Sequence, residues 1–280
     1  MKKSVGSSGR RHRNDAGKVV ALTIAGSDPG GGAGIQADLK TFAALGVYGY
    51  SAITAVIAQN SSTVNCVAPV APAMIAAQIE TLASERQPDA IKTGALGDAG
   101  IVNAVADSIS RLGLPAPVVD PVLISSAGVR LLDPAGERAL LRRLLPLARI
   151  VTPNLPEAQA LSGLDGASPA ALRAMVRALS AAGARAVLIK GGHAPSHSRE
   201  ESNDLFYDGR EFVELRAARI PGGGAHGLGC ALSAAITACL VRQMDLLEAV
   251  RHAKRYVSAA LRARFTLGAG RAVLDHFVRK

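Results

Sequence analysis

The run Gly222-Gly223-Gly224-Ala225-His226-Gly227-Leu228-Gly229-Cys230 leads straight into the apolar helical pattern Ala231-Leu232-Ser233-Ala234-Ala235-Ile236. Glycines let backbone N–H groups converge on one point, and the first turn of a helix adds unpaired donors and the positive end of its dipole. A phosphate suits such a cradle. A cysteine at a helix start is expected to have its thiolate favoured, which makes Cys230 a candidate base or anion-stabilising group. The alternative is an ordinary glycine-rich loop followed by a buried cysteine.

A second glycine-rich turn lies near the other end of the chain. Residues 19–25 read as a buried strand, Gly26-Ser27-Asp28-Pro29-Gly30-Gly31-Gly32-Ala33-Gly34 as a turn, and residues 35–42 as a helix. This order places a ligand at the carboxyl end of a strand, the usual crevice of an α/β sheet. Neither the dinucleotide pattern GxGxxG nor the phosphate loop GxxxxGK[ST] is present at its proper spacing.

The same alternation positions further polar groups. Residues 50–58 read as a strand whose exit, Gln59 and Asn60, is expected to face the same crevice before a polar loop. Residues 89–92, 117–120, 150–152 and 186–190 read as strands, and residues 73–83, 101–112, 136–145, 156 onward and 169–182 as helices. A hairpin is expected over residues 204–215, and two long helices, 229–242 and 246–264, close the chain. The strand exits collect Asp28, Gln36, Asn60, Lys92, Asp120, Asn154, Glu157, Lys190 and Cys230, with His193 as a further catalytic candidate. Carboxylates and amides near a phosphate can hold Mg²⁺, a lysine neutralises phosphate oxygens, and a glycine cradle stabilises charge in transfer, so the set suits a phosphotransferase. Turn-capping roles for Asp120 and Asn154, and a solvated rim position for Lys92, are the structural alternatives.

Composition sets the bounds. The 280 residues are 49% hydrophobic, ample for a core, and the alternation implies a three-layer, doubly wound α/β fold with a mostly parallel sheet and helices on both faces. The net charge of +10 owes much to Lys2, Lys3, Arg10, Arg11, Arg13 and Lys18, so residues 1–17 read as a disordered basic tail and residues 18–280 as one domain. With 3% aromatics and no tryptophan there is little to stack on bases, which argues against nucleic acid. Three cysteines without metal-ligand spacing, and the absence of a signal or membrane-spanning run, point to a cytoplasmic protein without membrane contact.

The first glycine turn with residues 35–41, Val151-Thr152-Pro153-Asn154-Leu155-Pro156-Glu157-Ala158, Lys190-Gly191-Gly192-His193 and His226-Gly227-Leu228-Gly229-Cys230 together resemble the hydroxymethylpyrimidine/phosphomethylpyrimidine kinases of the ribokinase-like superfamily. The resemblance covers about residue 18 to the end, with the motifs in order. It implies ATP- and Mg²⁺-dependent phosphorylation of 4-amino-5-hydroxymethyl-2-methylpyrimidine and then of its monophosphate, for thiamine biosynthesis, by a homodimer. By similarity, Gln36 recognises the pyrimidine, with Asp28, Gly26, Asn60 and Ala95 on the same substrate side. Asn154 and Lys190 serve the nucleotide phosphates, Glu157 and, through water, Asp120 the metal. Gly227, Leu228 and Gly229 form the anion hole, and Cys230 stands where ribokinase relatives carry an aspartate base.

The chain also departs from the family pattern. Gly224-Ala225-His226-Gly227-Leu228-Gly229-Cys230 stands where Asn-Thr-His-Gly-Thr-Gly-Cys is usual, losing two hydroxyls and an amide as phosphate donors. Ala95 stands at a common methionine position, Leu123 replaces another methionine, Ser125-Ser126-Ala127-Gly128 lacks the familiar lysine or threonine, and Gly30 replaces a serine. A roomier pocket leaves a pyridoxal-type vitamer kinase as one alternative. Weakened phosphate donors leave a pyrimidine-binding sensor or carrier as another.

Overall fold

The computed structural model describes residues 18–191, 201–268 and 270–278. The expected tail over residues 1–17 and the candidate His193 lie outside them.

The chain opens with β1 (Val20–Ser27), α1 (Gly34–Ala44), β2 (Tyr48–Gln59), β3 (Val64–Pro69), α2 (Pro72–Glu85), β4 (Ala90–Thr93) and α3 (Ala99–Arg111). It continues through β5 (Val118–Val119), α4 (Pro134–Ala139), β6 (Ile150–Val151), α5 (Leu155–Ser162), α6 (Pro169–Ala181) and β7 (Val187–Ile189). A hairpin of β8 (Asp204–Tyr207) and β9 (Phe212–Leu215) precedes α7 (Leu228–Leu240), α8 (Leu246–Arg262), β10 (Phe265–Thr266) and β11 (Ala272–Val273).

One sheet carries the order β3-β2-β1-β4-β5-β6-β7-β8-β9. From β2 to β7 neighbouring strands are parallel, while β3 and β8 run antiparallel to them at the two sides and β9 pairs antiparallel with β8. The chain winds outward from β1 to β2 and returns to β4 on the other side of β1, so the order reverses between β1 and β4. The carboxyl ends of the parallel strands therefore open a crevice at this switch point.

Period-two alternation divides the core between the two faces. Leu22, Ile24, Ile91, Val119, Val151, Val187 and Ile189 pack on one side with residues of α2, α3, α5 and α6. Ala21, Ala90, Val118, Ile150 and Leu188 pack on the other with α1, α7 and α8. Side chains cap α3 (Asp98), α4 (Asp133), α6 (Ser168) and α8 (Asp245), and α5 begins with a reciprocal Asn154–Glu157 capping box. In contrast, α1, α2 and α7 start with no side-chain cap, α7 at Gly227.

Three expectations need correction. The stretch after Asn60 is a tight turn followed by β3; as an exposed edge strand it buries no face and so carries no alternation to read. The helix expected over residues 136–145 stops at Ala139, continues as a π turn over Leu140–Leu144 and tightens to a 3-10 turn over Leu145–Leu147, where Pro146 supplies no amide for a regular ladder. Two long helices do not end the chain, because β10 and β11 pair beyond them and bring Val273 against His226.

The C-terminal segment is anchored by His276, which is 3% exposed, with Nδ1 lying 3.3 Å from both Thr41 Oγ1 and Tyr256 Oη. Burial, with Lys40 nearby, lowers its pKa from 6.5 to about 4. The folded state thus binds fewer protons than the unfolded chain between these values, and stability falls as pH drops through that window. Urea midpoints measured from pH 7 to pH 4 are expected to fall less steeply in His276→Gln than in the wild type.

Candidate active site

The crevice at the strand exits is a cleft of about 1070 Å³. Its lining includes Gly26, Ala95 and Ile57 at the exits of β1, β4 and β2, and the apolar Ile220, Val257 and Leu261 from the segment before the glycine loop and from α8. Asp120, Asn154, Glu157, Lys190, Gly227, Leu228, Gly229 and Cys230 line it too. Of the expected strand-exit groups, Lys92, Asp120, Asn154, Glu157, Lys190 and Cys230 therefore converge, because parallel strands release their carboxyl ends on one edge.

The two glycine turns meet backbone to backbone. Gly227 has φ +80°, and a Cβ there would lie 1.8 Å from the Gly32 carbonyl oxygen. On the other side of the contact, a Cβ on Gly32 would lie 2.8 Å from the His226 ring. Asp28 closes the junction: its carboxylate accepts from the Gly30, Gly32 and Ala33 amides at 3.0, 3.1 and 2.7 Å and pairs with His226 Nε2 at 3.0 Å. Burial alone would raise the Asp28 pKa, but His226 and the amides hold it below the usual carboxylate range. Sequence motifs contained His226 yet gave no sign of this contact, which joins residues 198 positions apart.

Asp28 thus holds the loop and does not itself wall the cleft. Gln36 accepts from the Asp28 amide at 2.8 Å and donates to Ser27 Oγ at 3.0 Å, so its amide group braces the same turn. Asn60 departs from expectation: it lines a smaller neighbouring pocket, and its Oδ1 accepts from the Ser62 and Thr63 amides, capping the β2–β3 turn. Gln59 does reach the main cleft. Ala95 sits on the wall with its carbonyl accepting from Thr54 Oγ1 at 2.6 Å.

A charged network crosses the floor. Lys190 donates to Asp120 Oδ1 at 2.9 Å and lies 3.7 Å from Glu157 Oε2. Asp120 also accepts from Ser233 Oγ at 3.2 Å. Burial raises the Asp120 pKa, but Lys190 and Lys92 outweigh it and hold the carboxyl low. For Glu157 burial wins over the pull of Lys190, with Asp120 adding repulsion, and the pKa is raised. Burial would lower Lys190, yet the two carboxylates keep it firmly protonated. A Cβ on Gly229 would lie 3.2 Å from the Lys190 ammonium, which places that cation directly at the start of α7.

Lys92 is no rim charge. It is completely buried, with Nζ 2.7 Å from each Asp38 oxygen, and Asp38 accepts a further 2.6 Å bond from Thr23 Oγ1. The spacing of Ile35, Asp38 and Phe42 puts a carboxylate on the buried face of α1, a signal the sequence held. Cys230 also differs from expectation: burial pushes its thiol up to about 11, opposed by Lys92 and a Gly34 amide hydrogen bond and reinforced by Asp38 and Asp120. The helix start and nearby cations do not overcome desolvation, so the resting group is a thiol. The Leu228 side chain packs on the apolar cluster beneath α7 while its residue lines the cleft.

Two outcomes follow from this geometry. Gly227→Ala should lose at least about 2 kcal/mol of stability in urea titrations through forced overpacking at a positive φ, whereas Gly224→Ala, with nothing within 4 Å, should behave as wild type. In a Cys66→Ser background, which removes the exposed thiol, iodoacetamide labelling of Cys230 followed by peptide mass should be slow at pH 7 and rise about tenfold per pH unit up to about 11.

The family model for phosphomethylpyrimidine kinase matches residues 28–275. The hydroxymethylpyrimidine/phosphomethylpyrimidine kinase of Rhizobium meliloti (strain 1021) is 47% identical over 93% of this chain and 98% of its own, and that of Escherichia coli (strain K12) is 42% identical over the same shares. Among solved structures, an ADP complex of Bacillus subtilis pyridoxal kinase superposes with a TM-score of 0.85 at 37% identity, covering 93% of this chain and 98% of that one. Phosphomethylpyrimidine kinase from Clostridium difficile 630 gives 0.76 at 37% identity over 86% and 98%. With a match spanning nearly all the described residues and the mostly parallel sheet of these kinases, the chain belongs to the phosphomethylpyrimidine kinase family.

Proposed function

We propose that this protein transfers the γ-phosphoryl group of ATP to 4-amino-5-hydroxymethyl-2-methylpyrimidine and then to the resulting monophosphate, yielding the pyrimidine diphosphate used for thiamine. The observation that carries this reading is the uncapped start of α7, with Cys230 in its first turn, on the lining of the same cleft as Asp120, Glu157 and Lys190. The lining at Gly26 and Ala95 takes the pyrimidine; the apolar lining at Ile220, Val257 and Leu261 takes the nucleotide base. Gln36 and Asp28 act on the acceptor side by fixing the turn that walls it, and Asn60 by holding the adjacent hairpin tip.

Phosphoryl transfer needs positioning and charge stabilisation more than covalent help. The amides of Gly229 and Cys230, at the first turn, and the left-handed turn at Gly227 form the anion hole, with Leu228 contributing backbone only. Lys190, pressed against Gly229, meets the phosphate oxygens, and Asn154 holds Glu157 in place through their capping box. Cys230 receives the acceptor's hydroxyl proton, drawing on the thiolate fraction of a group that rests protonated.

Mg²⁺ fits the donor set. Asp120 and Glu157 face the cleft with one lysine between them, burial raises the Glu157 pKa, and a second cation would relieve it. Mg²⁺ is commonly held by one or two carboxylates together with water and substrate phosphates, and Asp120 and Glu157 supply such carboxylates. When bound, Mg²⁺ would neutralise phosphate charge.

A homodimer is supported by the exposed edge strand β3 and the exposed Val56, Val67 and Met74 beside it. A cytoplasmic location suits three cysteines that form no disulfide among the described residues; no helix among those residues is long and apolar enough to cross a membrane. The likeness to pyridoxal kinase and the small Ala95 favour a second reading, in which a pyridoxal-type vitamer is also accepted.

A product assay with ATP, Mg²⁺ and hydroxymethylpyrimidine, resolving mono- from diphosphate, tests the proposal, with pyridoxal as a parallel acceptor. Diphosphate is expected, and Cys230→Ala should reduce turnover by about 10²–10⁴-fold, the usual contribution of a positioned base. Tight pyrimidine binding without turnover would instead indicate a sensor or carrier.

A further inference from the structure

The Lys92–Asp38 pair is unexplained by packing. Both side chains have no exposed surface. Two buried charges seldom stabilise a fold more than apolar residues of the same volume would, so stability gives little reason for this pair in the second layer of a sheet. Its placement is specific. Thr23 and Lys92 are register partners on β1 and β4, Asp38 projects from α1, and all three lie on the sheet face that α7 covers.

A lysine ammonium has three donors. Asp38 takes two, one to each oxygen, and the third has no hydrogen-bonded partner among the described residues. Lys92 and Cys230 line the same cleft, and α7, which begins at Leu228 and carries Cys230, packs directly on β4, which carries Lys92. The charged groups acting on Cys230 are Lys92 from β4, Asp38 from α1, Asp120 after β5 and Lys190 after β7, and Lys92 is the strongest of them.

We propose that Lys92, held in place by Asp38, is a positioning residue for phosphoryl transfer: it supplies the fixed cation against which Cys230 carries negative charge during proton transfer. Cys230, as thiolate, takes the acceptor's hydroxyl proton while the new O–P bond forms. The bond from the γ-phosphorus to its bridging oxygen breaks, and its electron pair leaves with ADP. Cys230 then returns the proton to solvent. Asp38 fixes the ammonium in place, so that its charge acts on the sulfur through space and without a hydrogen bond to it.

The inference rests on the kinase reading for turnover alone; thiol reactivity needs no substrate and tests it separately. In the Cys66→Ser background, Lys92→Met and the charge-neutral double variant Asp38→Asn/Lys92→Met are compared by urea titration, iodoacetamide labelling of Cys230 at pH 9, and steady-state kinetics. The expected result is a folded Lys92→Met variant whose Cys230 labels at least about tenfold more slowly, a shift of one pKa unit or more, with the double variant, which also loses the opposing Asp38 charge, slower than wild type by a smaller factor. The kcat of Lys92→Met should fall by a similar factor, with KM for ATP and pyrimidine within about twofold. Labelling that changes while no variant or wild type turns over would keep the role of Lys92 and reject the kinase reading. Wild-type labelling in whichever variant folds, or failure of both variants to fold, would overturn the inference and leave the pair a structural one.

Discussion

The contact between the Gly227 backbone and the Gly32 carbonyl, closed by Asp28 and His226, is the constraint on which the cleft depends. It brings the exit of β1 and the start of α7 so close that neither glycine has room for a side chain. The turn after β1 and the first turn of α7, proposed to hold the acceptor and the phosphate, are thereby fixed relative to each other without any covalent tie. Placing two ligands for in-line transfer demands this kind of rigidity, since a displacement of about 1 Å is enough to cost orders of magnitude in rate.

Around that junction the fold separates neutral and charged work. Five helices end their first turns on their own side chains or a capping box, so their dipoles and amides are spent locally. The start of α7 is left unspent and faces the cleft. Lys190, Asp120 and Glu157 then balance one another within hydrogen-bond or ion-pair distance, so a phosphate can enter a region already organised for charge.

Desolvation is the opposing force at this site. The enclosure that strengthens each charge interaction also raises the Cys230 and Glu157 pKa values. Local motif reasoning at a helix N-terminus predicts a thiolate, because the dipole is a local property. Burial is not local, and at Cys230 it outweighs Lys92 and the Gly34 amide. The departures at Ala225 and Leu228 remove side-chain donors but leave the backbone cradle, whose shape is set by Gly227 and Gly229.

The amino-acid sequence by itself determined the alternating elements, the doubly wound class and the strand-exit set, because hydrophobic period and glycine turns are encoded within short windows. Asp120, Asn154, Glu157, Lys190 and Cys230 were legible for that reason: parallel strands must deliver their exits to one edge. Tertiary structure alone decided that Asp28 braces a loop, that Asn60 caps a hairpin turn, and that Lys92 is buried against Asp38. It also decided the apolar lining by Ile220, Val257 and Leu261, and the protonated state of Cys230. Each of these depends on partners distant in sequence, whose desolvation and hydrogen bonding no local pattern contains.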